Sequence, residues 1–245
     1  EGLECFSSPF YPTAVELLES LNVPAYKIAS FEITDIPLIE LVASKGKPII
    51  ISTGIAELED IELAIDACER MGNENIAILK CTSSYPAPIE EANMIMVKDF
   101  AERFNMIVGL SDHTIGSTAP VVATCFGAKI IEKHFILDRS IGGPDSSFSM
   151  NEAEFTEMVK AVREAEKAIG KVDYNLTDKQ KKGKDFSRSL YIVENIAEGE
   201  VLTEKNIRSI RPGFGLHPKF FKEVLGKKVK RNIEKGERLS LEDLE

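Results

Sequence analysis

Hydrophobic runs and amphipathic stretches alternate along the first 170 residues, at intervals of about thirty residues. The hydrophobic runs are rich in β-branched residues and have the length of strands; they are residues 3–8, 25–30, 48–53, 75–82, 106–113 and 129–137. Stretches with helical periodicity follow them, at residues 13–21, 36–46, 58–72, 96–104, 118–128 and 151–170. Continuously apolar strands flanked by helices are typical of a parallel sheet buried on both faces, so the pattern predicts an α/β fold.

The number of repeating units favours one α/β architecture. Six consecutive βα units predict most of a (β/α)8 TIM barrel, an incomplete one that lacks two units. Because the first predicted strand begins at residue 3, we expect the missing pair to lie N-terminal to residue 1. An open, doubly wound sheet is the alternative architecture.

The pattern changes after Gly170, the end of the predicted barrel region at 1–170. Residues 171–184 are polar and charged, which predicts a linker. Residues 196–207 and 233–244 then share the pattern I-x-x-G-E-x-L-[ST]-x-x-[ND]-[IL], so we predict a small pseudo-symmetric domain over 185–245. This region holds 12 Lys and Arg against 11 Asp and Glu, a net charge of +1, whereas the remainder of the chain has a net charge of −11.

Composition excludes several classes of protein. The chain has 245 residues, 43% of them hydrophobic, which is enough for a substantial core. A net charge of −10 argues against a nucleic-acid partner, since phosphate binding needs clustered Lys and Arg. No apolar stretch approaches the roughly 20 residues that span a bilayer, and no signal segment opens the sequence, so we expect a cytoplasmic protein with no membrane partner. The four cysteines lack CxxC spacing and are predicted to be buried free thiols.

Polar side chains stand at the end of every predicted strand. In a parallel barrel these ends open on one side of the molecule, so residues distant in sequence converge there. They are Ser7 and Ser8; Lys27, Ser30 and Glu32; Ser52 and Thr53; Thr82, Ser83 and Tyr85; Ser111, Asp112 and His113; Glu132 and His134. We therefore predict a functional site at the carboxyl ends of the strands.

His113 and His134 end successive predicted strands. As neighbours they would offer two imidazoles to a divalent metal and leave its other positions open. The alternative is that each is a core histidine with a satisfied hydrogen bond.

Lys27 lies between Tyr26 and Ile28 in a short apolar strand. A lysine there either extends its amine to solvent or meets an anion or a reactive carbonyl. With the hydroxyls of Ser8, Ser30, Ser52 and Ser111 it would bind phosphate or carboxylate. Schiff-base chemistry at Lys27 is the rival mechanism.

Eight motifs occur in order along the chain: CFSSPF, YKIASFE, STGIA, LKCTSSYPAP, GLSDHT, IEKHFILDRS, GPDSSFSM and IRPGFGLHPKF. Together they resemble the sialic acid synthase family. The resemblance implies a (β/α)8 barrel followed by a small antifreeze-like domain (SAF, β-clip). It also implies a metal-dependent transferase that condenses phosphoenolpyruvate with an N-acetylated amino sugar. YKIASFE with Phe31, FSRSLY and RPGFGLHPKF are most similar to the pseudaminic acid branch of the family.

The resemblance also implies roles for individual residues. The expected metal, Mn²⁺ or Mg²⁺, is assigned to His113 and His134. Phosphoenolpyruvate is assigned to Ser8, Lys27, Ser30, Ser52, Ser83 and Ser111, and the catalytic residues that orient the sugar are Glu32, Tyr85 and Asp145. In that family the residue at the position of Arg211 contacts the sugar bound in the barrel of the other subunit, which implies a domain-swapped homodimer.

Three alternatives stay open. Within the family, the chain could make N-acetylneuraminic or legionaminic acid. Outside it, Lys27 could serve a Schiff-base aldolase, which would leave both histidines without a role. A truncated synthase could also act as a carbohydrate-binding or scaffold protein without catalysis.

Overall fold

The computed structural model describes residues 2–245, which form two compact units. The first unit ends at Lys171, and the second comprises Val172–Glu245. The strands of the first unit are β1 (Tyr26–Ile28), β2 (Ile49–Ser52), β3 (Ile76–Cys81), β4 (Ile107–Asp112) and β5 (Ile130–Lys133). Its helices are α1 (Pro12–Ser20), α2 (Ile36–Ala43), α3 (Leu58–Arg70), α4 (Ile95–Phe104), α5 (Thr118–Cys125) and α6 (Glu152–Ile169).

The five strands form one parallel sheet in the order β1-β2-β3-β4-β5. Each strand pairs with the next along the chain, with a helix between them, as in a (β/α)8 barrel. A doubly wound sheet would reverse its strand order at one point, so the sequential order excludes that alternative.

Buried aliphatic side chains fill the space between the sheet and its helices. Helix α3 begins with a capping box in which Glu57 and Asp60 bond each other's backbone amides, and it buries Ile61 and Ile65 on one face. These side chains belong to one continuous cluster that includes the fully buried Ile49 and Ile51 of β2. The amphipathic periodicity of the sequence therefore places this face against the sheet.

Strands β4 and β5 approach closely at Gly109. A Cβ atom at this position would lie 2.4 Å from the carbonyl oxygen of Ile130 and 2.6 Å from a methyl carbon of Leu79. Only glycine leaves room for that approach, which sets the spacing at the start of the β4–β5 pair.

The structure corrects two predictions. Residues 3–8 do not form a strand, so the sheet has five strands rather than six. The segment is largely exposed, and its contact with β1 is a single backbone hydrogen bond of 3.3 Å from Lys27 N to Ser7 O, which is too little for a ladder. The cysteines are also not all buried: Cys68 and Cys81 are, whereas Cys5 and Cys125 are exposed.

The second unit is built around the sequence repeat. Its elements are α7 (Asp178–Gly183), β6 (Ser189–Ile192), β7 (Ile207–Ile210) and α8 (Phe221–Val224), with β6 and β7 antiparallel. Helix α7 lies within the segment predicted as a linker. The repeats pair through reciprocal backbone hydrogen bonds of 2.9 Å between Ile196 and Ile233.

Equivalent positions of the two repeats make the same local contacts. The Asn206 side chain accepts from the Thr203 amide at 2.7 Å, and the Asp243 side chain accepts from the Ser240 amide at 2.9 Å. The predicted pseudo-symmetry is therefore present in the hydrogen bonds of this unit. None of the helices in residues 2–245 has the length and apolar character to cross a membrane.

Candidate active site

A cavity of about 390 Å³ opens at the carboxyl ends of the parallel strands. It is lined by eight of the twelve predicted site residues: Ser8, Lys27, Ser30, Ser52, Tyr85, Ser111, His113 and His134. Phe6, Ser7, Ala29 and Glu132 complete the lining. The parallel topology thus brings together groups that are up to 128 positions apart in the sequence, from Phe6 to His134.

Lys27 of β1 lines this cavity and is buried, with 6% of its surface exposed. Its ammonium donates to Ser52 Oγ at 2.7 Å and to the Ile28 carbonyl at 3.2 Å. The Glu132 carboxylate lies 3.5 Å from it and also accepts a hydrogen bond of 2.7 Å from Ser111 Oγ. Lys27, Ser52, Ser111 and Glu132 therefore form one polar network across the sheet.

Gly54, directly after β2, allows a cluster of small polar groups to form beside the cavity. Its amide donates to Ser30 Oγ at 3.0 Å. A Cβ atom here would lie 2.0 Å from Ser83 Oγ and 2.8 Å from Ser30 Oγ, so the position excludes any side chain. Ser83 does not line the cavity; its Oγ lies 3.9 Å from Cys81 Sγ in this neighbouring cluster.

His113 is held by the end of β3. Its Nδ1 lies 2.9 Å from the Thr82 carbonyl oxygen and 3.8 Å from Cys81 Sγ. A carbonyl oxygen only accepts, so Nδ1 bears the hydrogen, and in the neutral ring Nε2 keeps a free lone pair. Burial disfavours the charged ring, but the contacts with Cys81 and the Thr82 carbonyl outweigh it and raise the pKa of His113 above its usual value.

His134 follows β5 as His113 follows β4, and the two ring centroids lie 5.2 Å apart. Burial and the nearby His113 lower the pKa of His134 below its usual value. The ring of Phe148 packs against His134 at 5.0 Å, and the ring of Tyr85 lies 4.3 Å from His113. These aromatic contacts restrict the orientation of both imidazoles.

The histidine pair suits a divalent metal that keeps open positions. It offers two nitrogen donors, and the bond from His113 Nδ1 to a backbone carbonyl is the outer-shell contact that fixes the tautomer of a ligating histidine. Residues 2–245 contain no group of three or more His, Cys, Asp or Glu side chains that could hold a metal.

Cys81 and Glu132 complete the chemistry of the site. Glu132 is one of the predicted polar strand-end residues but has no predicted role, and Cys81 is not among the predicted site residues. Burial raises the pKa of the Cys81 thiol, but contacts with His113, Ser30 and Ser111 outweigh it, so the pKa lies below its usual value. The motif LKCTSSYP and the strand end IEKH contain these two residues. Their contacts depend on strand register, which the sequence does not specify.

Besides Ser83, three other predicted residues lie outside the cavity lining. The Glu32 carboxyl has a buried Oε2 with no hydrogen-bond partner among the described residues, and burial raises its pKa above the usual value. Asp145 places Oδ2 3.6 Å from His134 Nδ1. Arg211 is an exposed residue of the second unit.

Comparison with known proteins gives the chain its family. Residues 1–174 match the model of the NeuB family, and residues 187–245 match that of the SAF domain. The pseudaminic acid synthase of Helicobacter pylori is 49% identical over 99% of this chain and 72% of its own length. The N,N'-diacetyllegionaminic acid synthase of Legionella pneumophila is 34% identical over 100% of this chain and 70% of its own.

A solved structure agrees with these sequence relatives. The spore coat polysaccharide biosynthesis protein SpsE of Bacillus subtilis superposes with a TM-score of 0.66 at 34% identity, over 99% of this chain and 74% of that one. The predicted fold class is confirmed: a partial barrel of parallel strands is followed by a SAF domain. The resemblance found in the motifs is confirmed as well, and the chain belongs to the NeuB family.

Proposed function

We propose that the chain is a pseudaminic acid synthase. In this reaction C3 of phosphoenolpyruvate forms a bond to the aldehyde carbon of 2,4-diacetamido-2,4,6-trideoxy-L-altrose, and the aldehyde oxygen takes a proton. Water adds at C2, the bond from C2 to the phosphate oxygen breaks, and inorganic phosphate leaves. The observation that supports this choice is the 49% identity to a pseudaminic acid synthase over 99% of the chain, against 34% to a legionaminic acid synthase.

The network around Lys27 suits the anionic substrate. Its buried ammonium and the hydroxyls of Ser8, Ser30, Ser52 and Ser111 are donors suited to phosphate and carboxylate oxygens. Ser83 would reach the substrate from the neighbouring cluster, since it stands beside Ser30 across Gly54. We infer that the ligand displaces Glu132 as the nearest anion to Lys27, because the 3.5 Å pair leaves room for a closer oxygen.

The charge of the cavity supports a bound cation. Its lining contains one lysine and one glutamate, so its formal charge is zero when both histidines are neutral. Phosphoenolpyruvate carries a phosphate of about −1.5 to −2 and a carboxylate. We propose that His113 and His134 hold Mn²⁺ or Mg²⁺, which when bound supplies Lewis acidity toward a carbonyl oxygen and offsets the substrate's charge.

The sugar is assigned to the rim of the cavity. Tyr85 lines the cavity, and Asp145 stands beside His134, so both could orient an acetamido sugar. Glu32, with its raised pKa, could position water or transfer a proton. Phe31 is 59% exposed next to Glu32 and offers an apolar contact to the methyl group of a 6-deoxy sugar.

The alternatives fit the geometry less well. Lys27 already donates to Ser52 and the Ile28 carbonyl and pairs with Glu132, which suits an ammonium that binds anions rather than a free amine for Schiff-base chemistry. A binding protein without catalysis would not need two adjacent imidazoles beside the anion site. Synthesis of legionaminic or N-acetylneuraminic acid differs from our proposal only in the sugar, so it is tested by substrate preference.

We further propose that the protein acts as a homodimer in which Arg211 completes the partner's site. Arg211 is exposed in a domain with a net charge of +1, and the rest of the chain has a net charge of −11. Such an asymmetry favours contact between the SAF domain and the barrel of another copy. The guanidinium would bind the N-acetyl carbonyl of the sugar.

Sugar preference tests the proposed reaction. Phosphate release should show a kcat/KM for the trideoxy-L-altrose substrate about 10- to 200-fold above that for N-acetylmannosamine, the range expected when a pocket favours a methyl group. The variant Phe31→Gly should bring the two kcat/KM values closer together, because it removes the apolar contact to the methyl group. Equal values in the wild type, or better use of N-acetylmannosamine, would reject the pseudaminic acid assignment.

Loss of either predicted ligand tests the metal site. His113→Ala and His134→Ala should each abolish Mn²⁺ binding and phosphate release while circular dichroism and Tm stay close to wild type. His217→Ala is the matched control, because its Nδ1 accepts from the Lys219 amide within the SAF domain. Metal-dependent turnover that survives in both variants would contradict the assignment.

Mixing subunits tests the swapped arrangement. Arg211→Ala and His113→Ala should each be nearly inactive alone, and Arg211→Ala should impair use of the sugar more than binding of phosphoenolpyruvate. In a mixed dimer one barrel retains His113 and receives Arg211 from the other chain, so about half the activity of one wild-type dimer should return. If heterodimers form and no activity returns, Arg211 does not act in the partner's site.

A further inference from the structure

A buried ion pair lies immediately before the histidine pair in the sheet. Asp112 and Lys133 are register partners on β4 and β5, and His113 and His134 are the residues that follow them. The side chains of Asp112 and Lys133 are 2% and 0% exposed, and Lys133 Nζ lies 2.6 Å from Asp112 Oδ2. Because successive side chains of a strand point to opposite faces, this pair is on the helix-facing side of the sheet and outside the cavity lining.

The pair is fully hydrogen-bonded, and its partners lie in the turn after His113. The Lys133 ammonium also donates to the carbonyl oxygens of Thr114 and Gly116, the latter at 3.2 Å. The Asp112 carboxylate accepts from the Thr114 amide at 2.9 Å and from the Thr114 hydroxyl at 3.2 Å. One lysine of β5 therefore fixes both the end of β4 and the turn that follows it.

Stability alone does not explain a charged pair at this position. Replacing a buried ion pair by well-packed apolar residues is often neutral or stabilising, because desolvation offsets most of the attraction. The best-attested role of such pairs is to fix register. In this sheet a change in the alignment of β4 and β5 would alter the 5.2 Å separation of the two imidazole rings one residue further along.

We propose that Asp112 and Lys133 are positioning residues for the histidine pair: they set its spacing and orientation, and through these its affinity for a divalent cation. The expected effect of this pair on cation affinity rests on the proposed metal site. The expected effect on the geometry of the two imidazoles does not require a metal.

A double substitution separates positioning from stability. Lys133→Met and Asp112→Asn alone each leave an uncompensated group in the buried network and should lower Tm. The combination Asp112→Asn/Lys133→Met removes both charges and should recover much of the lost stability. It should still bind Mn²⁺ about 10- to 100-fold more weakly than wild type, the loss typical of an altered outer-shell contact. If the double variant does not fold, Mn²⁺ affinity and the histidine signals are measured on Asp112→Asn, which keeps the shape of the side chain, at a temperature below its lowered Tm.

Imidazole NMR gives the metal-free measurement on the same proteins. The chain has three histidines, so ¹⁵N-imidazole signals can be assigned by single substitution. In the double variant the signals of His113 and His134 should shift, with His113 losing its single Nδ1–H tautomer, while those of His217 stay unchanged. Lys98→Met, which removes an exposed ion pair with Glu102 on α4, is the matched control and should change neither signal set nor Mn²⁺ affinity.

The two measurements keep the inference separate from the proposed function. If wild type fails to bind Mn²⁺, the proposed metal site is wrong, and the imidazole signals still decide the positioning role. If the stable double variant, or Asp112→Asn in its place, keeps both the wild-type histidine signals and wild-type Mn²⁺ affinity, the positioning role is overturned.

Discussion

The parallel pairing of β4 with β5 determines the position of the histidine pair and of the Ser111–Glu132 contact in the site. Close packing at Gly109 begins the pair, and its last two rungs each add a polar contact: Ser111 bonds Glu132 on the cavity side, and Asp112 pairs with Lys133 on the helix side. The two histidines directly follow this last rung. A slip of one residue between these strands would move each of these groups to the wrong face and dismantle the network as a whole.

The electrostatics of the cavity follow from this arrangement. Glu132 is held by Ser111 from β4 and by Lys27 from β1, so one carboxylate links the two edges of the sheet. The cavity lining thus contains both this hydrogen-bonded lysine and the two histidines. In the proposed function Lys27 would bind the anionic substrate and the histidines a metal, and the proposed condensation requires both, because one substrate is an anion and the other an aldehyde.

Much of this site follows from sequence, because a parallel topology brings strand ends together whatever their spacing along the chain. His113 and Lys27 are examples: each ends an apolar run or interrupts one, and both line the cavity. Partners across the sheet are harder to predict, because register depends on packing such as the close approach at Gly109. The failure of residues 3–8 to form a strand has a similar cause, since the local pattern cannot show how many ladder hydrogen bonds a segment will find.

Binding of phosphoenolpyruvate tests the central claim that this cavity is a synthase active site. Isothermal titration of the 245-residue chain in the presence of Mn²⁺ should show one site per chain. Lys27→Met should weaken binding about 10- to 100-fold, because a hydrogen bond to a charged group contributes roughly 1.5–3 kcal/mol. Absence of binding in the wild type, or equal affinity in Lys27→Met, would contradict the account.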